Sequence, residues 1–358
     1  MKEKANKEKV MVGLSGGVDS SVAALLLKES GYRVEGVTFI SSNRKGSSKD
    51  DLFCNLDMAK VVADKLGIEH FTLDVSEEFL THVVDPFVES YAAGKTPNPC
   101  ARCNRYIRFD LVLNEALSRG FDYIATGHHV RRKQKNGEYF LYKGRDENKD
   151  QSYFLYSLGQ RELANSLFPV GQIKKDQIYE LAEKNDLPSA GLNESQDLCF
   201  VTEGGIGSYV DKKSDEPVPS GKIIDTGGNI LGSHSGLPHY TIGQRRGLGL
   251  EMNEARYVVE MLPEENVIVV GDEEELYSKG LIASDLSWVS GKVPQGELRV
   301  DIKVRYRSKA VSGRVIPKNN SVEVLFDFPV KAVTPGQKAV FYRHSRVVGG
   351  GTIEKSLE

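Results

Sequence analysis

Nine residues near the start constrain this chain more than any other stretch: Gly13-Leu14-Ser15-Gly16-Gly17-Val18-Asp19-Ser20-Ser21. The apolar run Val10-Met11-Val12 leads in as a strand. Val22-Ala23-Ala24-Leu25-Leu26-Leu27 leads out as a helix that Gly31 ends. A glycine-rich turn from strand into helix leaves backbone N–H groups unpaired and aimed at one spot, where the helix dipole adds positive charge and glycine permits close approach. Ser15, Ser20 and Ser21 add hydroxyl donors, and Asp19 can help hold a metal ion. The stretch reads as an anion cradle sized for a phosphate chain; the bland alternative is an ordinary tight turn of an α/β sheet. It is neither a Walker loop, which needs Gly-Lys-Ser/Thr, nor a GxGxxG dinucleotide turn.

Strand and helix alternate after it. Strands are predicted over 33–40, 68–75 and 123–127. Helices are predicted over 52–66, over 77–93 with a kink at Pro86, and over 104–119, opened by Asn104 and closed by Gly120. Such alternation builds a parallel sheet covered on both faces, with ligands at the carboxyl ends of the strands, where the 13–21 loop and Gly127-His128 both fall. Asn136-Gly137 marks a hairpin within 131–143, and 174–184 reads as an amphipathic helix. From Lys212 the composition shifts, and 212–221 reads as a linker. Short strands follow at 222–224, 229–231, 257–261 and 267–270, then a separate small β-barrel from residue 282, with strands at 298–307, 312–316, 321–326, 338–342 and 347–353. The expected class is therefore α/β: a parallel-sheet domain over 1–211, a small central β-containing domain over 212–280 and a C-terminal β-barrel over 281–358.

At 358 residues there is room for two or three cores, and 39% hydrophobic with 27% charged content is that of a soluble globular protein. The charged first nine residues do not read as a signal peptide, and no apolar run approaches membrane-spanning length. Four cysteines are too few for a disulfide scaffold, which points to a reducing, cytoplasmic setting. The net charge of −3 neither demands nor excludes nucleic acid; two basic clusters, Arg131-Arg132-Lys133 and Lys303, Arg305, Arg307 and Lys309, are each compatible with a solvated face.

The second informative stretch is Thr96-Pro97-Asn98-Pro99-Cys100-Ala101-Arg102-Cys103-Asn104. A thiol at a helix N-terminus, with Arg102 and Arg105 nearby, is expected to have a lowered pKa and to be partly thiolate. Three readings are open. Cys100 and Cys103 are half of a structural zinc site, with Cys199 and Cys54 as further donors; or they are inert buried thiols; or they react.

The loop SGGVDSS resembles the pyrophosphate loop of enzymes that split ATP between its α- and β-phosphates. In the order SGGVDSS, TPNPCARCN, ATGHH, KDQSYFL, SQDLCF, YTIGQRRGLG and VTPGQ, the chain resembles the tRNA-specific 2-thiouridylases of the MnmA type over essentially its whole length. That resemblance implies an N-type ATP pyrophosphatase domain, a central domain and a tRNA-contacting barrel, and replacement of the C2 oxygen of the wobble uridine by sulfur. It places ATP on Gly13, Leu14, Ser15, Gly16, Gly17, Val18, Asp19, Ser20, Phe39 and Gly127, with Phe39 where relatives often carry Met. It places the target base at Asn98, Pro99 and Cys100, and tRNA at His128, Lys149, Asp150, Gln151, Arg305, Tyr306 and Gln337. Cys103 corresponds to the catalytic nucleophile and Cys199 to the persulfide carrier. Some relatives have Asp at Cys100, so an Asp-based proton transfer does not carry over.

The implied chemistry is coherent. AMP transferred to the uridine oxygen makes it a leaving group, with Mg²⁺ and the loop N–H groups stabilising pyrophosphate. A persulfide on Cys199 then attacks C2, and Cys103 resolves the sulfur link, with a Cys103–Cys199 disulfide as one outcome. Cys100, Cys103 and Cys199 together would also suit a 4Fe-4S cluster with one open iron. The partners implied are the tRNA anticodon arm, positioned by phosphate contacts from Arg131, Arg132, Arg305 and Arg307, and a sulfur donor: a cysteine desulfurase, a relay protein or inorganic sulfide. Two other classes stand beside this reading. One is an amide-forming ligase or nucleotide synthetase, which has little use for the cysteines. The other is a non-catalytic, nucleotide-sensing RNA-binding module.

Overall fold

The computed structural model describes residues 7–41, 56–192, 198–201, 204–214, 219–250 and 254–358. Cys54, the start of the 52–66 helix and linker residues 215–218 lie outside the described residues.

The N-terminal half is built on a five-stranded, wholly parallel sheet. Its strands are β1 (Lys9–Gly13), β2 (Arg33–Ile40), β3 (Glu69–Asp74), β4 (Tyr123–Ala125) and, after the hairpin β5 (Val130–Lys135) and β6 (Glu138–Lys143), β7 (Ser166–Leu167). The order is β3-β2-β1-β4-β7. β1 lies at the centre, paired to β2 and β4, and its Val10, Met11 and Val12 are at most 1% exposed. A strand covered on both faces must be apolar throughout rather than alternating, which is how this run reads. Each such buried side chain contributes about 1.5–3 kcal/mol. The sequence reverses direction across the sheet between β1 and β4, and the Gly13–Ser21 turn emerges at that carboxyl end.

Two local expectations are corrected and a third holds. The helical stretch around Pro86 runs as Ser76–Phe79, a π-helical turn Leu80–Val84, and Asp85–Ala92 with Pro86 in its first turn. Proline removes the N–H that His82 O would have received, and Arg102 Nε fills the gap at 2.8 Å. The next helix opens six residues earlier than expected. Asn98, not Asn104, is its N-cap, accepting Ala101 N at 3.0 Å, and the backbone continues from Pro99–Arg102 through a π-helix, Cys103–Leu111, into Val112–Ser118. Pro99 at the first helical position is what proline's fixed φ favours. The Asn136-Gly137 hairpin forms as predicted, both residues having positive φ (52° and 80°).

The central region is a four-stranded sheet of β8 (Gly221–Asp225), β9 (Ile230–His234), β10 (Tyr257–Leu262) and β11 (Val267–Gly271), in the order β10-β11-β8-β9. Residues 212 and 213, assigned above to a linker, end a helix, Gly205–Lys213. The barrel has six strands, not five: β12 (Tyr277–Trp288), β13 (Leu298–Lys303), β14 (Val311–Pro317), β15 (Val322–Lys331), β16 (Lys338–Arg343) and β17 (Arg346–Leu357), closed by β12 against β17. Trp288 is core, 7% exposed and packed on Phe341.

The barrel is not packed apart. Val289, Val340, Tyr342 and Val347 share one apolar core with Met11, Phe39, Ile107 and Tyr153 of the first half. β6 also continues the barrel sheet through Tyr142 opposite Arg346. Tyr153 OH donates to Lys338 O at 2.9 Å, and Lys338 N donates back at 3.2 Å.

Candidate active site

At the loop, helix Val18–Glu29 starts at Gly17 with no side chain capping it. Among the described residues, the backbone N–H groups of Gly16, Val18, Asp19 and Ser20 have no partner, although helix termini are normally capped. The serines turn inward to shape the turn: Ser20 Oγ receives Ser15 N at 3.2 Å, and Ser20 and Ser21 hydroxyls both donate to Gly17 O at 2.9 Å. Gly16 has φ 79°, which glycine allows without strain. Leu14 and Val18 are 2% and 3% exposed, so they offer a ligand their backbone only. Phe39, 9% exposed, lies against Gly13 as the floor of the loop. Gly127 is required for a different reason: a Cβ there would stand 2.7 Å from Asp19 C and Ser20 N. The end of β4 thus closes onto the loop backbone.

Asp19 is the charged hub. Lys175 Nζ donates to both of its carboxylate oxygens at 2.8 Å, and His129 Nε2 meets Oδ1 at 3.0 Å. Burial works to raise the Asp19 pKa, but hydrogen bonds and charge from His129 and Lys175 outweigh it and hold the carboxyl below its ordinary value. His129 is 3% exposed and its Nδ1 has no partner. Neither Lys175 nor His129 was singled out as a partner of the loop from sequence. A signal existed: Lys175 opens helix Lys175–Lys184, where the dipole disfavours a cation, so a buried lysine there requires an acid. One carboxylate is what magnesium ordinarily takes from a protein when phosphates supply other oxygens, and Asp19 fits that need in competition with Lys175.

The cysteines feel one another's charge, and their electrostatics reverse the expectation of a lowered pKa. Cys100 sits in the first helical turn, Cys103 is 7% exposed at the start of the π-helix, and Cys199 is exposed. All three thiols are pushed up, Cys100 and Cys103 first by burial and Cys199, although its residue reaches solvent, first by desolvation from the protein around its sulfur. Cys100 reaches about 11, with the Cys103 charge adding to it. Cys199 is raised further by Cys100 and Cys103, and Cys103 is raised as well. Arg102 and Arg105 do not lower them: Arg102 is spent on His82 O and Arg105 pairs with Asp285 at 2.8 Å. The cation among the thiols is Arg108, which hydrogen-bonds Cys103 and acts on all three. Arg108 lies five residues after Cys103, one turn of a π-helix but off-face in an α-helix. Among the described residues no three His, Cys, Asp or Glu side chains are placed to hold a metal ion. The thiols as they stand therefore fit neither a zinc site nor an iron–sulfur cluster, and no chemistry is routed through one.

His128 joins the two halves of the site. It is buried, bonded through Nδ1 to Thr126 Oγ1 at 2.9 Å, and held neutral, its pKa brought down to about 3 by burial, Arg108 and His129. It is no exposed cation.

The remaining predicted residues sit at the seams between domains. Thr96 N donates to Pro335 O at 2.9 Å, and Gln337 Nε2 donates to Thr96 O at 2.9 Å, so the barrel clamps the strand leading to Asn98-Pro99-Cys100. Arg305 Nη2 donates to Ile242 O of the central region at 2.9 Å and to Thr334 Oγ1. Tyr306 packs on Phe154, with ring centroids 4.4 Å apart, and Lys303 lies over its ring. Asp150 is buried, accepting Gly144 N and Ser152 N at 3.1 Å each, Gln151 Oε1 accepts His129 N at 2.9 Å, and Lys149 N donates to Asp146 O. These residues frame the site from behind.

With this geometry in view, the comparisons with known proteins are specific. Residues 8–203 match the family described as tRNA methyl transferase HUP domain, residues 209–272 its PRC-barrel domain and residues 278–353 the aminomethyltransferase beta-barrel domain. Together these define a nucleotide-binding HUP protein with two β appendages. The chain is 44% identical to the tRNA-specific 2-thiouridylase MnmA of Carboxydothermus hydrogenoformans, covering 98% of this chain and 99% of that one. It is 42% identical to that of Acetivibrio thermocellus, covering 98% and 100%. Among solved structures, the U34-tRNA thiolase NcsA from Methanococcus maripaludis, with its 4Fe-4S cluster, is 23% identical, covering 59% of this chain and 65% of that one, at a TM-score of 0.35, too low to bear on the fold or the chemistry. The chain belongs to the tRNA-specific 2-thiouridylase family.

Proposed function

We propose that this protein is a tRNA-uridine 2-sulfurtransferase that uses ATP to activate the C2 oxygen of the wobble uridine and replaces it with sulfur. The observation that carries the reading is the joining of two half-sites. An uncapped helix N-terminus with Asp19 and Lys175 forms one, three coupled thiols around Arg108 form the other, and His128 feels both. Methyl transfer, the word in the domain description, has no use for these thiols. The N-terminal parallel-sheet half carries the chemistry, strands β8–β11 form the central platform and β12–β17 the barrel.

The unpaired N–H groups of Gly16, Val18, Asp19 and Ser20 receive the β- and γ-phosphates of ATP. Magnesium arriving with the nucleotide supplies charge neutralisation at those phosphates, and Asp19 is the residue that would hold it. The uridine O2 attacks the α-phosphorus; the O2–P bond forms, the bond to the β-phosphate oxygen breaks, pyrophosphate leaves and the N3 proton is released to solvent. The terminal sulfur of a persulfide on Cys199 then bonds to C2, and AMP leaves with the former O2. Cys103 attacks Cys199 Sγ, the bond from Sγ to the transferred sulfur breaks, the Cys103 thiol proton passes to N3 of the base as the thiocarbonyl is released, and the Cys103–Cys199 disulfide forms; a thiol reductant restores both cysteines. Asn98-Pro99-Cys100, clamped by Gln337, lies where the unstacked base must enter.

The test is incubation with unmodified tRNA, ATP and a cysteine-desulfurase persulfide, followed by nucleoside mass analysis, with inorganic sulfide in a separate arm that reports direct attack on C2 without the Cys199 persulfide. Appearance of 2-thiouridine with AMP and pyrophosphate supports the reading. ADP with phosphate, or a methylated base, overturns it. Iron and sulfide analysis of anaerobically purified protein, with Cys100→Ser as comparison, tests the cluster alternative.

A further inference from the structure

The hairpin β5–β6 has no part in the chemistry above, yet its outer face carries a distinctive charge arrangement. In antiparallel strands, residues directly opposite each other share a face. Arg131 is opposite Tyr142, Tyr142 is opposite Arg346, and Arg346 is opposite Arg343, so the four form one row across β5, β6, β17 and β16. Three strand spacings make that row about 14 Å long. Lys133 and Phe140, opposite each other, stand on the same face two residues along.

Aromatic rings brace two of these cations from the side. Lys133 Nζ lies 5.4 Å from the Tyr142 ring centroid, and the Arg346 guanidinium lies 5.3 Å from that of Phe140. A cation over a ring keeps its hydrogen-bond donors turned to solvent while its stem is fixed. Among the described residues none of Arg131, Lys133, Arg343 and Arg346 meets a carboxylate. Elsewhere the surface pairs its cations, as in Arg299–Asp327, Arg256–Asp272 and Lys331–Glu273. A cleft of about 620 Å³ opens beside the row, lined by Tyr142, Arg343 and Arg346. Four cations without a carboxylate partner, Lys133 and Arg346 braced by rings and Arg131 fixed by its Nε donating to Lys143 O at 2.7 Å, fit on this continuous face a partner of regularly spaced negative charge.

We propose that this face is a second RNA-contact surface, which grips the phosphate backbone of the substrate tRNA outside the anticodon loop. The inference rests on the thiolation reading for the identity of the RNA. β5 begins one residue after His129, and Lys133 stands four residues beyond it, about 13 Å along the strand. A backbone held here therefore lies several nucleotides from a base at the cysteines. The contacts are to phosphate, so they position the RNA without reading its sequence.

The experiment compares full-length tRNA with an isolated anticodon stem-loop, binding each to wild type and to the triple variant Lys133→Gln, Arg343→Gln, Arg346→Gln across a salt series, with Arg131, a candidate anticodon-arm contact, left in place. For full-length tRNA the variant should bind at least tenfold more weakly at low salt, and the slope of log K against log salt should shrink by about 2–3, since each lost phosphate contact removes roughly 0.7–0.9. Stem-loop binding and ATP binding should hold. Arg343→Glu, at an exposed position, gives the same direction in a variant that keeps the braced residues and so tests the face even if the triple variant misfolds. Equal full-length affinity in wild type and both variants overturns the proposal. So does an equal loss for the stem-loop. Loss confined to thiolation driven by a protein persulfide donor, with tRNA binding intact, also overturns it and assigns the face to that donor. If wild type binds tRNA here but makes no 2-thiouridine, the RNA surface stands and the thiolation reading falls.

Discussion

Lys175→Met tests the hub of the site most directly, because it keeps the length of the side chain and removes only the ammonium. In the native protein that ammonium gives both Asp19 oxygens a 2.8 Å bond from a side chain 6% exposed. Removing one partner of a buried ion pair costs about 3–5 kcal/mol when the other is left stranded. Asp19 keeps His129 and is 28% exposed, which lowers the expected cost to about 2–3 kcal/mol. For a domain of this size that is a fall of about 4–10 °C in the thermal transition of the N-terminal half. The pH dependence gives a second reading. Asp19 is held below its ordinary pKa of 3.8, so its contribution is present above that value and lost as pH falls through the folded value. The gap between wild type and variant should be full at pH 7 and shrink below about pH 4. Lys175→Arg should restore part of it. Adenylation, followed as tRNA-dependent pyrophosphate release, should fall by about 10²-fold, the usual loss of one charge-stabilising donor. A variant within 1 °C of wild type at pH 7, or a gap unchanged at pH 3, would refute the ion-pair argument, and unchanged pyrophosphate release would remove Lys175 from the chemistry.

Gly127→Ala should cost about 1–3 kcal/mol and weaken ATP binding at least tenfold by calorimetry, because its Cβ meets the loop backbone rather than a movable side chain. Asn98→Ala loses the helix cap and should destabilise by about 1 kcal/mol, with thiolation falling more than AMP formation does. Cys103→Ser and Cys199→Ser should each abolish 2-thiouridine while leaving tRNA-dependent pyrophosphate release within about threefold of wild type, since neither thiol serves the first step. With its thiol pushed up by burial, Cys103 should react with iodoacetamide more slowly than a free thiol at pH 7, and the rate should still be climbing past pH 9; a plateau below pH 8 would contradict that assignment.

Much of this architecture is legible in the sequence because its signals are local. Val10-Met11-Val12 announces a strand buried on both faces, Asn136-Gly137 a hairpin, and Gly13–Ser21 a turn with unclaimed N–H groups. The barrel's first strand was missed because Tyr277–Trp288 contains Gly280 and the polar Ser284-Asp285, and shifts register against both neighbours. Irregular pairing of that kind disrupts the period-2 pattern that marks a strand. The π-helix was illegible for a related reason. Periodicity is judged against 3.6 residues per turn, and Cys103 and Arg108 share a side only when the backbone widens its turn.

The thiol electrostatics show where residue adjacency fails as an argument. Arg102 and Arg105 are nearest Cys103 in sequence, and a count of neighbouring charges gives a lowered pKa. The fold spends both on other tasks: Arg102 satisfies the carbonyl that Pro86 leaves open, and Arg105 pins Asp285 of the barrel. Desolvation then outweighs the single remaining cation, Arg108, and the thiols stay protonated at neutral pH. Prolines, arginines and cysteines in this segment are thus one system. Arg102 is held on the His82 carbonyl beside Pro86, and its charge is not among those acting on Cys100 and Cys103. Pro86→Ala returns the His82 carbonyl to the helix ladder and frees Arg102. Cys100 and Cys103 alkylation at pH 7 should then rise above wild type, whereas an unchanged rate would show that burial alone sets the thiols.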